Sequence, residues 1–212
     1  MPLYAITFVA RNKDNKSIPD FKQRSNVFLT SLELDDPELQ SQFEDFVAKG
    51  KIGELSRFYV AVNERNPVEV NKNVTIFLIN NPSYNPARLP AKIYSISMNG
   101  KNALTKKWLF DFDSSDKNLL DQFVNDIIAS GFVKQDILIH KSISGYHIII
   151  PHGFDTRNIM LKWNDIVTLK RDDMWLKTYQ TNQWKVYTYD SSIKNQPDAK
   201  WIVIQRLSFG KL

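Results

Sequence analysis

The stretch KWLFDFDSSDKNLLDQFVNDIIASGFVKQDILIHKSISGYHIIIP (residues 107–151) decides the fold. Its opening run, KWLFDFD, is a β-strand pattern in which Asp111 and Asp113 fall two apart and point to one face, while Trp108, Phe110 and Phe112 take the other. Ser114 or Ser115 can cap the next segment. There Leu119, Leu120, Phe123, Val124, Ile127 and Ile128 recur at helical spacing, and Gly131 marks the stop. DILIH (136–140) and YHIIIP (146–151) are then strands joined by the turn Lys141-Ser142-Ile143-Ser144-Gly145. A strand, a helix and a hairpin in that order predict an α+β fold or a mixed α/β sheet.

Working outward, residues 3–10 and 26–32 read as strands, and 36–48 as a helix opened by Asp36 before Pro37. RFYVAVNER (57–65) and VTIFLIN (74–80) are strand-like in their β-branched and aromatic content. The Asn/Pro cluster at 80–92 reads as a loop and offers the one internal boundary. Downstream, strands are expected at 166–170, 174–179, 184–189 and 201–206. The 212 residues suit a single domain, with 1–90 as an N-terminal part or small accessory lobe and 91–212 as the motif-bearing part.

The chain contains no cysteine, so disulfides, thiol nucleophiles and Cys-ligated zinc are excluded, leaving oxygen- or His-ligated metals. The first residues hold no apolar stretch long enough to span a membrane and no signal-peptide pattern, so a cytoplasmic protein with no membrane partner is expected. Residues 1–140 hold 17 basic and 17 acidic side chains, whereas 141–212 hold 11 and 6. All of the +5 net charge therefore lies in the last third, which favours a polyanionic ligand there. No Walker loop or dinucleotide fingerprint is present.

Two carboxylates on one face of an apolar strand repel each other, and burying them unpaired costs several kcal/mol each. Asp111 and Asp113 therefore call for a cation, a wet cleft or a basic partner, and hard ions such as Mg²⁺ or Mn²⁺ meet that need through oxygen ligands. His147, two residues after Gly145 at the start of a strand, can donate to a phosphate alongside backbone N–H groups of the turn. His140 and His152 stand at spacings to His147 that match no standard zinc motif. Lys170, Arg171, Trp175, Lys177, Tyr179, Trp184, Lys185, Tyr187, Tyr189, Trp201 and Arg206 alternate cations with aromatic rings, as a single-strand binding surface requires. Arg57 and Arg65 flank a strand, where they can meet a phosphate or an ion-pair partner.

Over residues 105–180, FDFDSS followed by a helix, a strand and HKSISGYHIIIP resembles the archaeo-eukaryotic primase superfamily, and the run from Gly153 to Tyr179 looks like small phage-encoded proteins of that kind. The resemblance implies an RRM-like palm, with a mixed or antiparallel sheet packed against helices. Asp111 and Asp113 would be catalytic metal ligands, and His147 would contact the phosphates of the incoming nucleotide. Lys141, Ser142, Ser144 and Gly145 would help hold the triphosphate, and Lys170, Arg171, Trp175 and Lys177 would contact the nucleic acid. The implied activity is nucleotidyl transfer from nucleoside triphosphates on a nucleic-acid template with Mg²⁺ or Mn²⁺. The alternative is a degenerate member that binds single-stranded nucleic acid or a nucleotide within a phage replication complex in the host cytoplasm. A replication partner protein would supply what this chain lacks. The family pattern asks for a third acid on a later strand. Thr168 stands where it would fall, Asp165, Asp172 and Asp173 are nearby, and Asp172 is the choice for the third metal ligand.

Overall fold

The computed structural model describes residues 1–183 and the short antiparallel pair Tyr187–Thr188 with Ile202–Val203. Among the described residues, two four-stranded sheets, each antiparallel throughout, and five α-helices make an α+β fold. The first sheet has strands β1 (Tyr4–Ala10), β2 (Arg24–Thr30), β3 (Leu55–Ala61) and β8 (Met174–Thr181), in the order β2-β1-β3-β8. The second has β4 (Trp108–Phe112), β5 (Leu138–Lys141), β6 (Tyr146–Ile150) and β7 (Val167–Arg171), in the order β5-β6-β4-β7. The sheets do not split the chain into sequence halves, because β8, which follows β7 after only Asp172 and Asp173, is the edge strand of the first sheet.

Helix α1 (Pro37–Ala48) forms as its sequence requires. Asp36 accepts a hydrogen bond from the Glu38 N–H, Pro37 opens the first turn, and Leu39, Phe43, Phe46 and Val47 make one buried stripe. That stripe meets Ile6, Phe8, Phe58 and Val60 from alternate positions of β1 and β3. Helix α4 (Lys117–Ala129) does the same for the second sheet, laying Leu120, Phe123, Val124 and Ile127 on Phe110, Phe112, Ile148 and Ile150. Its cap is Asp116 rather than Ser114 or Ser115. The Asp116 carboxylate takes the N–H groups of Asn118 and Leu119, and Ser114 instead accepts from the Asp116 N–H. Gly131 follows with a φ of 103°, the left-handed conformation that ends a helix.

The segment 74–80, expected as a strand, is the second half of helix α2 (Pro67–Asn80). Asn66 caps α2 by accepting from Val68 and Glu69, and once that nucleus forms the β-branched run continues helically, since propensity is a weak preference. The Asn/Pro segment leads into helix α3 (Leu89–Ser97), which packs on α2 and β2. Helix α5 (Arg157–Trp163) was not evident from the sequence pattern. It buries Ile159 and Trp163, whose indole N–H donates to Asp126 of α4. Of the strands expected at 184–189 and 201–206, only the backbone pair Tyr187–Thr188 and Ile202–Val203 is described; the other residues, and the side chains of Trp184, Lys185, Tyr187, Tyr189, Trp201 and Arg206, lie outside the described residues. No helix among the described residues is long and apolar enough to cross a membrane.

Each sheet packs one face on an amphipathic helix, α1 or α4, while on the other face of the first sheet the Tyr94 hydroxyl of α3 meets Thr7. Val62, Leu109, Ile149 and Trp175 form a small core where β8 comes against β5 and β6.

Candidate functional site

Strand alternation sends Phe110 and Phe112 into the helix-side core and leaves Leu109 and Asp111 on the opposite face. The register then composes a polar row across the second sheet: His140 opposite His147, His147 opposite Asp111, Asp111 opposite Thr168. The next row, with Leu109 beside Ile149, is buried beneath the first sheet, so the polar row stands where the two sheets part.

There they enclose a cleft of about 280 Å³. Leu109, Asp111, His147 and Lys170 line it from the second sheet and Thr7, Tyr59 and Met174 from the first, with Arg11 just past β1 and Asp173 just before β8. Lys170 reaches it through a bulge: Leu109 pairs with Arg171 and Phe110 with Leu169, which leaves Lys170 as the extra residue.

His147 is held at both ring nitrogens. Its Nδ1 accepts the Leu176 N–H of β8 at 2.8 Å, so the ring proton sits on Nε2, which lies 3.5 Å from Asp111 Oδ1. That contact is long for a hydrogen bond, and the side chain of Asp111 keeps 29% of its surface open to the cleft. The His147 N–H still holds the Asp111 carboxyl below the ordinary carboxylate range, against burial, and Lys170 and Lys13 add to the effect. Burial pushes the neighbouring His140 down, and its ring stacks on Trp175 at 4.0 Å.

Asp113 follows β4, its N–H bonded to the Ile166 carbonyl and its side chain exposed. The turn 142–145 is pressed against this strand end: a Cβ on Gly145 would overlap the Phe112 carbonyl, so only glycine fits. Ser142 is buried and accepts the Gly145 N–H at 3.0 Å, closing the turn, and Ser144 is exposed. Lys141 pairs with Tyr146, which puts it in the row of Phe112 on the face away from Asp111.

Asp172 has a different partner. Arg65, with no exposed surface, grips it through Nη1 and Nη2 at 2.8 and 2.9 Å, and the Asn63 amide donates to it at 3.0 Å. Its neighbour Asp173 joins Asp111 in lining the cleft instead, and its Oδ1 accepts the Met174 N–H. The cation–aromatic run is likewise dispersed. The Arg171 guanidinium lies over Trp108, Trp175 lies against His140, and the Lys177 ammonium is bound by Asp35 and the Leu34 carbonyl. His152 stands apart, its ring on Phe132.

The donor set fits one mode of metal binding. Mg²⁺ and Mn²⁺ are commonly held by one or two carboxylates with water and substrate phosphates completing the shell. Asp111, half-buried with a free oxygen edge, and Asp113 beyond it can supply those carboxylates. They do not make a closed protein cage: no group of three His, Cys, Asp or Glu side chains among the described residues converges as one would require.

Sequence reasoning missed Thr7, Arg11, Tyr59 and Asp173, because nothing in the local pattern shows that a distant sheet will face Asp111. The one usable signal was Asp173 itself, next to the acid chosen. Compared with family models, curated proteins and solved structures, the chain matches none, so the function rests on this geometry.

Proposed function

We propose that the protein is a metal-dependent nucleotidyltransferase of the primase–polymerase type, acting on nucleoside triphosphates and a nucleic-acid template. The observation that carries this reading is the direct pairing of Asp111 with His147 on adjacent strands, at the mouth of a cleft that also presents Lys170 and Arg11. The strand order β5-β6-β4-β7 supports it too, since β4-α4-β5-β6-α5-β7 is the β-α-β-β-α-β sequence of an RRM-like palm.

Mg²⁺ or Mn²⁺ held by Asp111 and Asp113 supplies, when bound, the Lewis acidity of phosphoryl transfer, activating a 3′-hydroxyl and neutralising phosphate charge. The chain's own groups orient the substrate. His147 offers Nε2–H as a donor to a phosphate oxygen, and the Leu176 N–H prevents the ring from turning that proton to Nδ1. Lys170 and Arg11 offset phosphate charge from opposite walls, and the packed floor of Leu109 and Met174 limits water. Asp173 takes the place of Asp172 as the third acid of the site.

A second reading, a degenerate primase-fold protein that binds nucleotide or single strand without turnover, draws on the capture of Asp172 by Arg65 and the absence of three converging acids among the described residues. Primer synthesis on single-stranded DNA with Mn²⁺ separates the two. Product from the wild type, lost in His147→Ala and in the double variant Asp111→Ala, Asp113→Ala, supports the enzyme. Nucleotide binding without product supports the second reading.

A further inference from the structure

The face of the first sheet turned away from α1 carries a second set of chemistry-bearing residues. Arg57 and Tyr179 stand directly opposite each other on β3 and β8, and Tyr59 is two residues along from Arg57 on the same face. The Arg57 guanidinium donates to the Tyr59 hydroxyl at 2.9 Å and to Asp14, and Arg11 binds the same carboxylate at 2.8 Å while lying 5.9 Å from the centre of the Tyr59 ring. Asp14 thus neutralises one of two arginines, and exposed Lys13 stands beside it. Tyr179, on the edge strand β8, keeps 41% of its surface exposed, and no aromatic neighbour packs on its ring among the described residues. Tyr59 also lines the cleft, so the strip is continuous with the Asp111 site.

A core explanation does not fit these rings. The apolar members of the same strands, Phe8, Phe58 and Val60, are already buried on the α1 side. Exposed Tyr179 and half-buried Tyr59 stand beside Arg11 and Arg57, whose side chains keep 24% and 11% of their surface open and whose net charge stays positive, an arrangement suited to unstacked bases and a phosphate backbone. The Arg57–Tyr59 hydrogen bond fixes one ring in advance, which lowers the ordering cost of binding.

We propose that the strip Arg11, Arg57, Tyr59 and Tyr179, with Lys13 at its edge, binds single-stranded nucleic acid by base stacking and leads it into the cleft. This deepens the nucleotidyltransferase reading by giving the template a path, yet it depends on no residue of the metal site. The test is fluorescence anisotropy of a labelled oligothymidylate with the full chain. Tyr179→Ala weakens binding about tenfold, in the range of one lost stacked base. Tyr179→Phe binds within about twofold of wild type because the ring is kept. Lys13→Gln lowers the slope of log affinity against log salt by about 0.7, one phosphate on a single strand. A duplex of equal length binds more weakly, its bases being unavailable to the rings. The titrations are run with EDTA and no nucleotide, so failure of the metal reading leaves this result intact. The proposal is overturned by any of three outcomes: no oligonucleotide binding by the wild type, equal affinity for duplex, or Tyr179→Ala indistinguishable from wild type.

Discussion

The two sheets are built alike and presented differently. Each has four antiparallel strands, and each buries a phenylalanine-rich face under an amphipathic helix, Phe8 and Phe58 beneath Phe43 of α1, Phe110 and Phe112 beneath Phe123 of α4. Their other faces diverge: the second sheet shows the row His140, His147, Asp111 and Thr168, the first shows Arg57, Tyr59 and Tyr179. The buried face of a sheet is set by the need to cover apolar area, which leaves the opposite face free to carry chemistry. Here one face offers acids and an imidazole, the other cations and rings, and the cleft lies where they meet.

The largest effects test whether the sheets fold as one unit. Phe43→Ala in the first core and Phe123→Ala in the second are each expected to cost about 3–5 kcal/mol. Because β8 belongs to the first sheet yet bonds His147 of the second, both variants unfold in a single transition at a lower urea midpoint. Two separated transitions would show that each sheet stands alone.

Next in size is the clamp beside the cleft. Arg65→Ala strands the Asp172 carboxylate and leaves a cavity, for a loss of about 3 kcal/mol in urea unfolding. The double variant Arg65→Met, Asp172→Leu recovers much of that loss, since an apolar pair of similar volume needs no desolvation. A loss below about 1 kcal/mol for Arg65→Ala would mean that the ion pair does not join the sheets.

These contacts explain what the sequence could and could not disclose. Strand β4, helix α4 and the hairpin of β5 and β6 were legible because alternation and helical spacing are local, and so was the placing of Asp111 on the face opposite Phe110 and Phe112. The pairing of Asp111 with His147 became visible only in the register. Helix α2 was misread because 74–80 is rich in residues that favour strands, while the cap that decides its state lies eight residues earlier, at Asn66. Asp172 and Asp173 look equivalent in sequence, and only the position of Arg65, 107 residues away, separates them. Arg57 and Arg65 both have acidic partners, and nothing local shows that Arg65 is sealed in the interior while Arg57 keeps part of its side chain, 11%, at the surface.

A smaller effect sharpens the contrast at the polar row. Burial holds His140 below its ordinary value, with His147 and Lys177 adding to the shift, so on acidification the unfolded chain takes up a proton that the folded chain does not. Its contribution to stability is therefore complete above about pH 6.5 and falls as the pH drops below that value. His140→Phe keeps the stack on Trp175 and removes this part of the slope, measured as the urea midpoint between pH 7.5 and pH 5.5, about the range over which a histidine titrates. An unchanged slope would assign the pH dependence to other groups.

The most direct test of the central claim, that the Asp111–His147 cleft is a metal-dependent triphosphate site, is calorimetric titration of Mn²⁺ with a nucleoside triphosphate into the wild type and into Asp111→Ala, Asp113→Ala. The wild type is expected to bind saturably and the double variant to lose about 100-fold or more, since even outer-shell changes cost about 10–100-fold, with a small loss of folding stability as the Asp111–His147 contact goes. Equal affinity in the two proteins would contradict it.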